Sequence, residues 1–493
     1  MSKYLKAILV NLVFFLISSI SFLILTPIAI HLMGDEFFGI WSVLNAIILF
    51  STIGTLGISS IVNKFSAEIS PDGPNNSDTS ILISGFVIIL PMATITMVIL
   101  LLTRSLISAN LSMAPLLEEQ FRTALIICSI GIIPQFLSRV PQGFLLSQLR
   151  NNVVRTLDFV STVFPLIGAV LISSFQKNLI WIASWFAIVQ SLTLFAYLVT
   201  IRQNLKWPFR LDRNLIRKML GFSFYMFIQS SASSLFQQFD RVVVAFVLGP
   251  VITGVYSIGT SVGLRIVQIS GNITDTMIPY ASLKNSLNEH ESLYQTFRKM
   301  SQYISFLVAV IAGLSIIWMK EILTVWISQS YAEKFSLFFC VLILAYGFLS
   351  LSRSANQTLT GLGQVKLTSI TFLVATIIML IGLFFLSKKY GLYGATLSNT
   401  LMILLITMNL RTYKILQHKI NWNHVFIDLR MGLLFPLLAL MIVLFQPVFY
   451  FKLAYTVASI AYMVSFFIKD DYLKRIVKEI GRKMIKSARN EAG

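Results

Sequence analysis

The chain has 493 residues, of which 56% are hydrophobic and 12% are charged, and its formal net charge is +19. Soluble globular domains carry roughly 25% charged residues, so this composition excludes an ordinary soluble protein and indicates a polytopic membrane protein. A net charge this basic could indicate nucleic-acid binding. Whether it does so depends on where the cations lie along the chain.

Apolar runs of membrane-spanning length recur from Ile8 to Ile468, and no connection between them is long enough to form a separate folded domain. The sequence therefore predicts one all-α integral domain with about fourteen transmembrane helices. The predicted spans are 8–32, 37–61, 80–103, 121–140, 153–174, 179–201, 219–248, 251–271, 301–319, 335–353, 367–387, 391–413, 426–447 and 450–468.

Lys and Arg lie mostly on one side of these spans. With the N-terminus in the cytoplasm, 28 of the 39 cations fall on the cytoplasmic side, eight on the outer side and three inside spans. This asymmetry follows the positive-inside rule and predicts that both termini are cytoplasmic. The basic charge is therefore a topology signal, and nucleic acid is not an expected partner.

Two stretches of the sequence resemble each other. In residues 32–43 (LMGDEFFGIWSV) and 247–258 (VLGPVITGVYSI), Gly34 and Gly39 align with Gly249 and Gly254 at an offset of 215. Leu-Ser-Arg recurs at 137–139 and 351–353, at an offset of 214. The two matches predict a duplication into parallel six-helix repeats followed by two extra helices.

The repeat divides the chain into predicted segments. Each segment is defined by its place relative to the two six-helix halves. They are an N-terminal lobe (1–201), a basic cytoplasmic linker (202–218), a C-terminal lobe (219–413), two added helices (414–468) and a basic tail (469–493). The tail pattern fits either an amphipathic helix on anionic lipid or a solvated tail that fixes topology.

No catalytic or metal-binding pattern is evident. The four His residues have no ligand spacing, and Cys128 and Cys340 each lie in an apolar run. A membrane glycosyltransferase or polymerase would need a catalytic loop on the outer face, and the longest outer connection, 104–120, is too short for such a domain. We therefore expect neither enzymatic activity nor a cofactor, and a transporter is favoured.

The cations inside or at the ends of spans are the candidate substrate-binding residues. Arg at mid-membrane costs ~3 kcal/mol on insertion scales, so Arg241 and Arg265 should face a cavity or a partner. Arg353 ends the tenth span, and its repeat mate Arg139 ends the fourth. The four could form a cationic column for a phosphate-bearing substrate. Arg139 and Arg353 could instead snorkel to lipid phosphates, and Arg241 could bridge to another helix; Arg265 is favoured as a cavity residue.

Acidic and amide side chains within the spans are candidates for other roles. Asp240 is the candidate for ion coupling, because a coupled transporter needs a carboxylate whose charge changes during the cycle. Arg155 and Asp158 are predicted to form a structural pair. Six amides could line a path for sugar hydroxyls or form interhelical hydrogen bonds: Asn45, Gln135, Gln190, Gln229, Gln237 and Gln238.

Three segments carry a family resemblance. Residues 31–68, 239–258 (FDRVVVAFVLGPVITGVYSI) and 356–366 (NQTLTGLGQVK) resemble the Wzx-type oligosaccharide flippases of the polysaccharide-transport family. The resemblance covers essentially residues 1–468 and implies the two-lobed fold of the multidrug and toxin extrusion (MATE) transporters.

The resemblance also implies a function in the bacterial inner membrane. It implies translocation of an undecaprenyl-pyrophosphate-linked oligosaccharide, an O-antigen or capsule repeat unit, to the outer leaflet. The polymerase and chain-length regulator of the same pathway then become candidate partners. A MATE-type drug or organic-cation exporter and a lipid II flippase remain open alternatives.

Overall fold

The computed structural model describes residues 3–55, 57–69, 76–111, 113–148, 150–204, 212–220, 235–274, 277–417, 422–445 and 449–469. These ranges are helical apart from short connections. The helices are α1 (Lys3–Met33), α2 (Asp35–Ser51), α3 (Ile58–Ile69), α4 (Asn76–Ala109), α5 (Pro115–Leu137), α6 (Arg139–Ser147), α7 (Asn151–Phe175), α8 (Leu179–Ile201), α9 (213–220), α10 (Asp240–Leu248), α11 (Pro250–Thr274), α12 (Met277–Ser286), α13 (His290–Ile317), α14 (Met319–Trp326), α15 (Gln329–Ser350), α16 (Arg353–Gly361), α17 (Val365–Thr400), α18 (Thr407–Gln417), α19 (Trp422–Leu444) and α20 (Phe449–Lys469).

The described residues contain 12 helical stretches long and apolar enough to cross a membrane, which makes this a multi-pass membrane protein. The longest, Val365–Gln417, covers two predicted spans, and Gly391 interrupts it with a φ of 58°. Part of the seventh predicted span, 221–234, lies outside the described residues. The all-α class is confirmed, and the count of fourteen stays a prediction.

The helices pack into two compact units. The first unit is Met1–Ser261 with Lys366–Met402, and the second is Val262–Val365 with Ile403–Gly493. The lobe boundaries at 201 and 219 stay a prediction. Residues 205–211 of the predicted linker and residues 470–493 of the predicted tail lie outside the described residues. The interpretation of the tail as a lipid-binding helix therefore concerns residues that the structure does not describe.

In the first unit, α5 packs against α4 and α8, α1 packs against α7, and α3 packs against α6. Small residues allow these close approaches, as is usual where lipid supplies no hydrophobic drive between helices. A Cβ on Gly131 of α5 would lie 3.1 Å from the Cα of Ala187 in α8. A Cβ on Gly168 of α7 would lie 1.9 Å from the indole nitrogen of Trp185.

In the second unit, α19 is joined to α13 by a buried ion pair. Asp428 has a fully buried side chain, and its carboxylate accepts hydrogen bonds from Arg298 at 2.9 and 3.1 Å. Gln302 donates to Oδ1 at 2.6 Å, and the Tyr413 hydroxyl of α18 donates to Oδ2. This saturation of a buried carboxylate by donors is what allows a charge to remain inside a helix bundle.

The helix boundaries repeat as the sequence predicted. Helices that begin at Asn76, Pro115, Arg139 and Asn151 have counterparts 214 residues later, at His290, Gln329, Arg353 and Val365. The turns before α2 and α11 also match, since Gly34 has φ 77° and ψ 163° and Gly249 has φ 85° and ψ 170°. Only glycine adopts such a backbone without strain. The duplication therefore extends well beyond the two segments in which the sequences still resemble each other.

The two duplicated turns meet inside the first unit. A Cβ on Gly39 would lie 2.2 Å from the carbonyl oxygen of Pro250. A Cβ on its repeat mate Gly254 would lie 3.1 Å from a ring carbon of Phe38 and 3.2 Å from the Cα of Gly39. The start of α2 and the start of α11 can be this close only because both positions lack a side chain.

Replacing Gly39 with Ala should therefore destabilise the protein. The added methyl group meets backbone, which cannot rotate away, and overpacking of this kind costs about 1–3 kcal/mol. The matched control is Gly347→Ala, where the nearest atoms are a methyl of Val308 at 3.2 Å and the Cβ of Ala312 at 3.5 Å. Thermal unfolding in detergent should show a lower Tm for Gly39→Ala than for Gly347→Ala, and equal values would contradict the contact.

Candidate functional site

A cavity of about 280 Å³ lies within the first unit. Side chains of α1, α2, α5, α6, α7, α8, α10 and α11 line it, and no Asp or Glu of the described chain is among them. The polar and aromatic lining residues are Thr26, Ser42, Asn45, Gln135, Arg139, Ser161, Thr162, Gln190, Arg241, Ser257 and Ser261, with Phe22, Phe38, Trp41 and Phe186.

Arg241 supplies one of the two positive charges of this cavity. Its side chain is almost fully buried, with 8% of the residue exposed. The guanidinium donates from Nε to the Thr260 hydroxyl at 3.2 Å and from Nη2 to the Ser261 hydroxyl at 3.1 Å. Both partners are neutral, and Arg241 forms no ion pair with a described residue. No ion pair within the described residues therefore cancels its positive charge, which can act on an anion in the cavity.

The adjacent Asp240 points elsewhere, as expected for neighbours about 100° apart on a helix. Its Oδ1 accepts from the Arg241 backbone N–H at 2.7 Å, and its Oδ2 accepts from the Tyr256 hydroxyl at 2.9 Å. The Tyr256 hydroxyl in turn accepts from Nδ2 of Asn399 in α17 at 2.7 Å. Asp240 is 0% exposed. Asp240, Tyr256 and Asn399 thus form a buried polar cluster that joins α10, α11 and α17.

A change of helix type precedes the Asp240-Arg241 pair. Residues 235–239 form a π-helical turn, and the α-helix resumes at Asp240. Such turns widen the backbone and change the direction in which the following side chains point, and they recur at functional sites. The π-helical turn lies directly before Asp240, which enters the buried cluster, and Arg241, which lines the cavity.

Arg139 supplies the second charge of the cavity, from the first turn of α6. Its Nη1 donates to Oε1 of Gln142 at 3.1 Å, and Nε2 of Gln142 donates to Asp158 at 2.8 Å. Asp158 also accepts from the Tyr197 hydroxyl at 3.3 Å and lies 3.9 Å from Arg155, which confirms the predicted pair. Because Gln142 stands between Arg139 and the carboxylate, the arginine is positioned without a direct ion pair.

The other two predicted arginines lie in the second unit. Arg265 is half-buried, and its Nη1 donates to Oε1 of Gln268 at 3.4 Å. The guanidinium of Arg353 lies against Gly271, with Nη2 2.8 Å from the point that a Cβ there would occupy. The structure therefore brings Arg139 and Arg241 to one cavity, and a binding role for Arg265 and Arg353 stays a prediction.

Three of the six intramembrane amides considered from the sequence line the cavity: Asn45, Gln135 and Gln190. Gln190 is fixed by a hydrogen bond from Nε2 to the carbonyl oxygen of Ser161 at 3.1 Å. Gln229 lies outside the described residues. Sequence reasoning passed over Asn399 altogether, since a lone Asn in an apolar run gives no signal of its partner.

The buried cluster can be tested at its centre. Tyr256→Phe removes the donor to Asp240 and the acceptor for Asn399 while keeping the ring, so both polar groups lose a partner in a buried setting. A loss of about 1–3 kcal/mol is expected, measured as a lower Tm in detergent. The control is Tyr462→Phe, because the Tyr462 ring packs on Phe306 and Phe435 and its hydroxyl has no hydrogen bond within the described chain. A Tm equal to that of the control would show that the hydroxyl of Tyr256 contributes nothing.

Solved structures of transporters share this fold. A MATE-family multidrug resistance transporter in an inward-facing conformation matches with a TM-score of 0.70 and 10% identity, over 81% of this chain and 95% of that one. The lipid II flippase MurJ in an inward closed conformation matches with a TM-score of 0.60 and 15% identity, over 88% of this chain and 99% of that one. At these identities the likeness establishes the fold, which is the MATE-like architecture that the sequence predicted.

Sequence relatives point to a narrower group. A Shigella flexneri protein described as "Putative O-antigen transporter" is 22% identical over 191 residues. That alignment spans 38% of this chain and 44% of the relative, which is less than half the length of either protein. The family model described as "Polysaccharide biosynthesis protein" matches residues 4–283, more than half of the chain. The chain therefore belongs to the polysaccharide biosynthesis protein family of membrane proteins.

Proposed function

We propose that this protein is a flippase. It moves an undecaprenyl-pyrophosphate-linked oligosaccharide, the repeat unit of an O-antigen or of a capsule or other exported polysaccharide, from the cytoplasmic to the outer leaflet by alternating access. The family match supports a role in polysaccharide biosynthesis, and the fold supports transport rather than catalysis. The membrane concerned is the bacterial cytoplasmic membrane, with both termini inside.

One observation carries the proposal: Arg139 and Arg241 line one cavity in which no carboxylate of the described chain lies. Guanidinium groups bind phosphate oxygens through pairs of N–H donors, and they do so more strongly where water is excluded. Neither arginine is neutralised by an ion pair of its own within the described residues. The polyprenyl tail of the substrate can remain in the bilayer while its phosphate groups enter the cavity.

A drug or organic-cation exporter of the same fold fits the cavity less well. Such a substrate needs an acidic residue in the cavity, and two cations there would repel it. A lipid II flippase remains a close alternative because its substrate carries the same polyprenyl pyrophosphate. The two functions can be distinguished by identifying which lipid-linked sugar accumulates in cells that lack the protein: polysaccharide repeat units or lipid II.

The other proposed partners follow from the same function. Anionic lipid at the cytoplasmic face would bind the basic tail, whose residues 470–493 lie outside the described part. The polymerase and chain-length regulator of the pathway would receive the translocated unit. Arg265 and Arg353 are proposed as further anion-binding residues on the path of the substrate.

Arg241→Ala should abolish translocation, and Arg241→Lys should retain part of it. Ala removes the charge, and Lys keeps it without the planar arrangement of donors. In cells, the Ala variant at wild-type membrane levels should lose surface polysaccharide and accumulate lipid-linked repeat units inside. The same loss is expected for Arg265→Ala. Arg202→Ala, at an exposed position, is the control.

Normal export by the Arg241→Ala variant would remove Arg241 from the site. Intact surface polysaccharide in cells lacking the gene, with no internal accumulation of lipid-linked units, would overturn the flippase assignment itself. Accumulation of lipid II alone would favour the alternative.

We also propose that Asp240 couples transport to an ion gradient. Its carboxylate is fully buried, and Asn399, which bonds to the same Tyr256 hydroxyl, has an Oδ1 atom with no hydrogen-bond partner among the described residues. A proton or a sodium ion arriving at this cluster would supply the missing positive charge or donor. The backbone N–H of Arg241 donates to Asp240, and the side chain of Arg241 lines the cavity. A change in the charge of the carboxylate would therefore act directly on a residue of the cavity.

Asp240→Asn should abolish stimulation of transport by an ion gradient while leaving substrate binding in place. The amide keeps the shape of the carboxylate but cannot change its charge. Translocation in proteoliposomes would be measured with a pH gradient, a sodium gradient or neither. Asp212→Asn is the control, since Asp212 is exposed and caps the backbone of residues 214 and 215. A gradient response equal to that of wild type would exclude Asp240 from coupling.

A further inference from the structure

Two side chains in the cavity carry polar atoms that nothing in the described chain satisfies. Gln135 is 7% exposed, and its Oε1 has no hydrogen-bond partner among the described residues. Ser257 is also 7% exposed, and its hydroxyl has no described partner either. Both residues line the cavity. Buried polar groups are nearly always hydrogen-bonded, so an exception at a cavity wall points to a partner that arrives with a ligand.

The position of Gln135 relates it to the anion-binding residues. It lies four residues before Arg139, and Ser138 between α5 and α6 has α-helical backbone angles, so both side chains lie on one face. Ser257 lies on α11, one turn before Ser261, which accepts from Arg241. Each unsatisfied group thus lies about one turn from an arginine or from an arginine's partner.

This arrangement selects a kind of ligand. The two arginines provide donors only, so they take phosphate oxygens. A carboxamide can turn either its oxygen or its NH₂ group toward a ligand, and a serine hydroxyl both donates and accepts, so these two groups suit sugar hydroxyl or acetamido substituents. Trp41 adds an aromatic surface to the same cavity. A sugar attached directly to a phosphate carries both kinds of group within one short molecule.

We propose that Gln135, together with Ser257, recognises a hydrogen-bonding substituent of the sugar next to the pyrophosphate. This inference rests on the proposed flippase function and adds to it. The arginines hold the part that every lipid-linked glycan shares, and Gln135 distinguishes one first sugar from another. A site built to hydrogen-bond a substituent discriminates against a ligand that lacks it, because the buried polar group is then left unpaired.

The experiment uses the full-length protein in lipid nanodiscs and measures Kd by titration with three probes. These are undecaprenyl pyrophosphate, the same lipid with one N-acetylhexosamine, and the same lipid with one hexose. Of the two sugar-bearing lipids, wild type should bind the preferred one about tenfold more tightly than the bare lipid. A tenfold difference is about the gain in affinity expected for hydrogen bonds made to a sugar. Gln135→Leu should reduce that preference to within about twofold while keeping the affinity for the bare lipid.

Two controls separate recognition from folding and from anion binding. Gln329→Leu, at an exposed position where the amide bonds only to Glu333, should keep the preference. Arg241→Ala should weaken binding of all three probes by a similar factor. Gln135→Leu should also keep or raise the Tm, because it removes a buried polar atom without a partner, whereas loss of a structural amide would lower the Tm.

The outcomes are distinguishable. If wild type binds all three probes equally, water alone satisfies the two groups and the inference is wrong, although the flippase assignment stands. If Gln135→Leu keeps the sugar preference, or weakens the bare lipid as much as the sugar-bearing ones, Gln135 does not recognise sugar. If wild type binds none of the probes, the proposed function fails and the inference fails with it.

Discussion

The structure depends on holding the positive charge of Arg241 in an apolar interior without cancelling it. A carboxylate partner would stabilise the charge most and would also remove it from use. Here the guanidinium donates to the hydroxyls of Thr260 and Ser261 instead. Neutral acceptors replace part of the lost hydration of the guanidinium and leave its positive charge in place, as the proposed anion-binding role requires.

The adjacent Asp240 forms no direct ion pair with Arg241 and makes hydrogen bonds of its own. Next-neighbour side chains on a helix point about 100° apart, and here they enter different surroundings. Arg241 lines the cavity, whereas each carboxylate oxygen of Asp240 accepts one hydrogen bond, from a backbone N–H and from the Tyr256 hydroxyl. Two opposite charges can therefore be one residue apart in sequence and still lie in separate surroundings, one at the cavity and one in the buried cluster.

The duplication accounts for the helical framework and less fully for the side chains that it carries. The helix boundaries repeat at a spacing of 214 residues along most of the two halves, and Gly39 and Gly254 still share one close contact. The charged residues repeat only in part, since Arg139 has the repeat mate Arg353 but Arg241 has no charged counterpart. At the spacing of 215, the mate of Arg241 is Thr26, and both line the cavity. Backbone contacts are conserved by steric necessity, because any side chain at Gly39 would clash, whereas a cavity position accepts several side chains.

The sequence by itself determined the membrane class, the duplication and the identities of the costly charges. These follow from local properties: the length of apolar runs, the spacing of glycines and the free energy needed to place a charge in hydrocarbon. It also named Arg139, Arg241 and three of the lining amides. It could not decide that Arg139 and Arg241 share a cavity, or that Gln190 is bonded while Gln135 is not. Those facts depend on which helices pack together, and residues such as Tyr256 and Asn399, 143 positions apart, meet only in the tertiary structure.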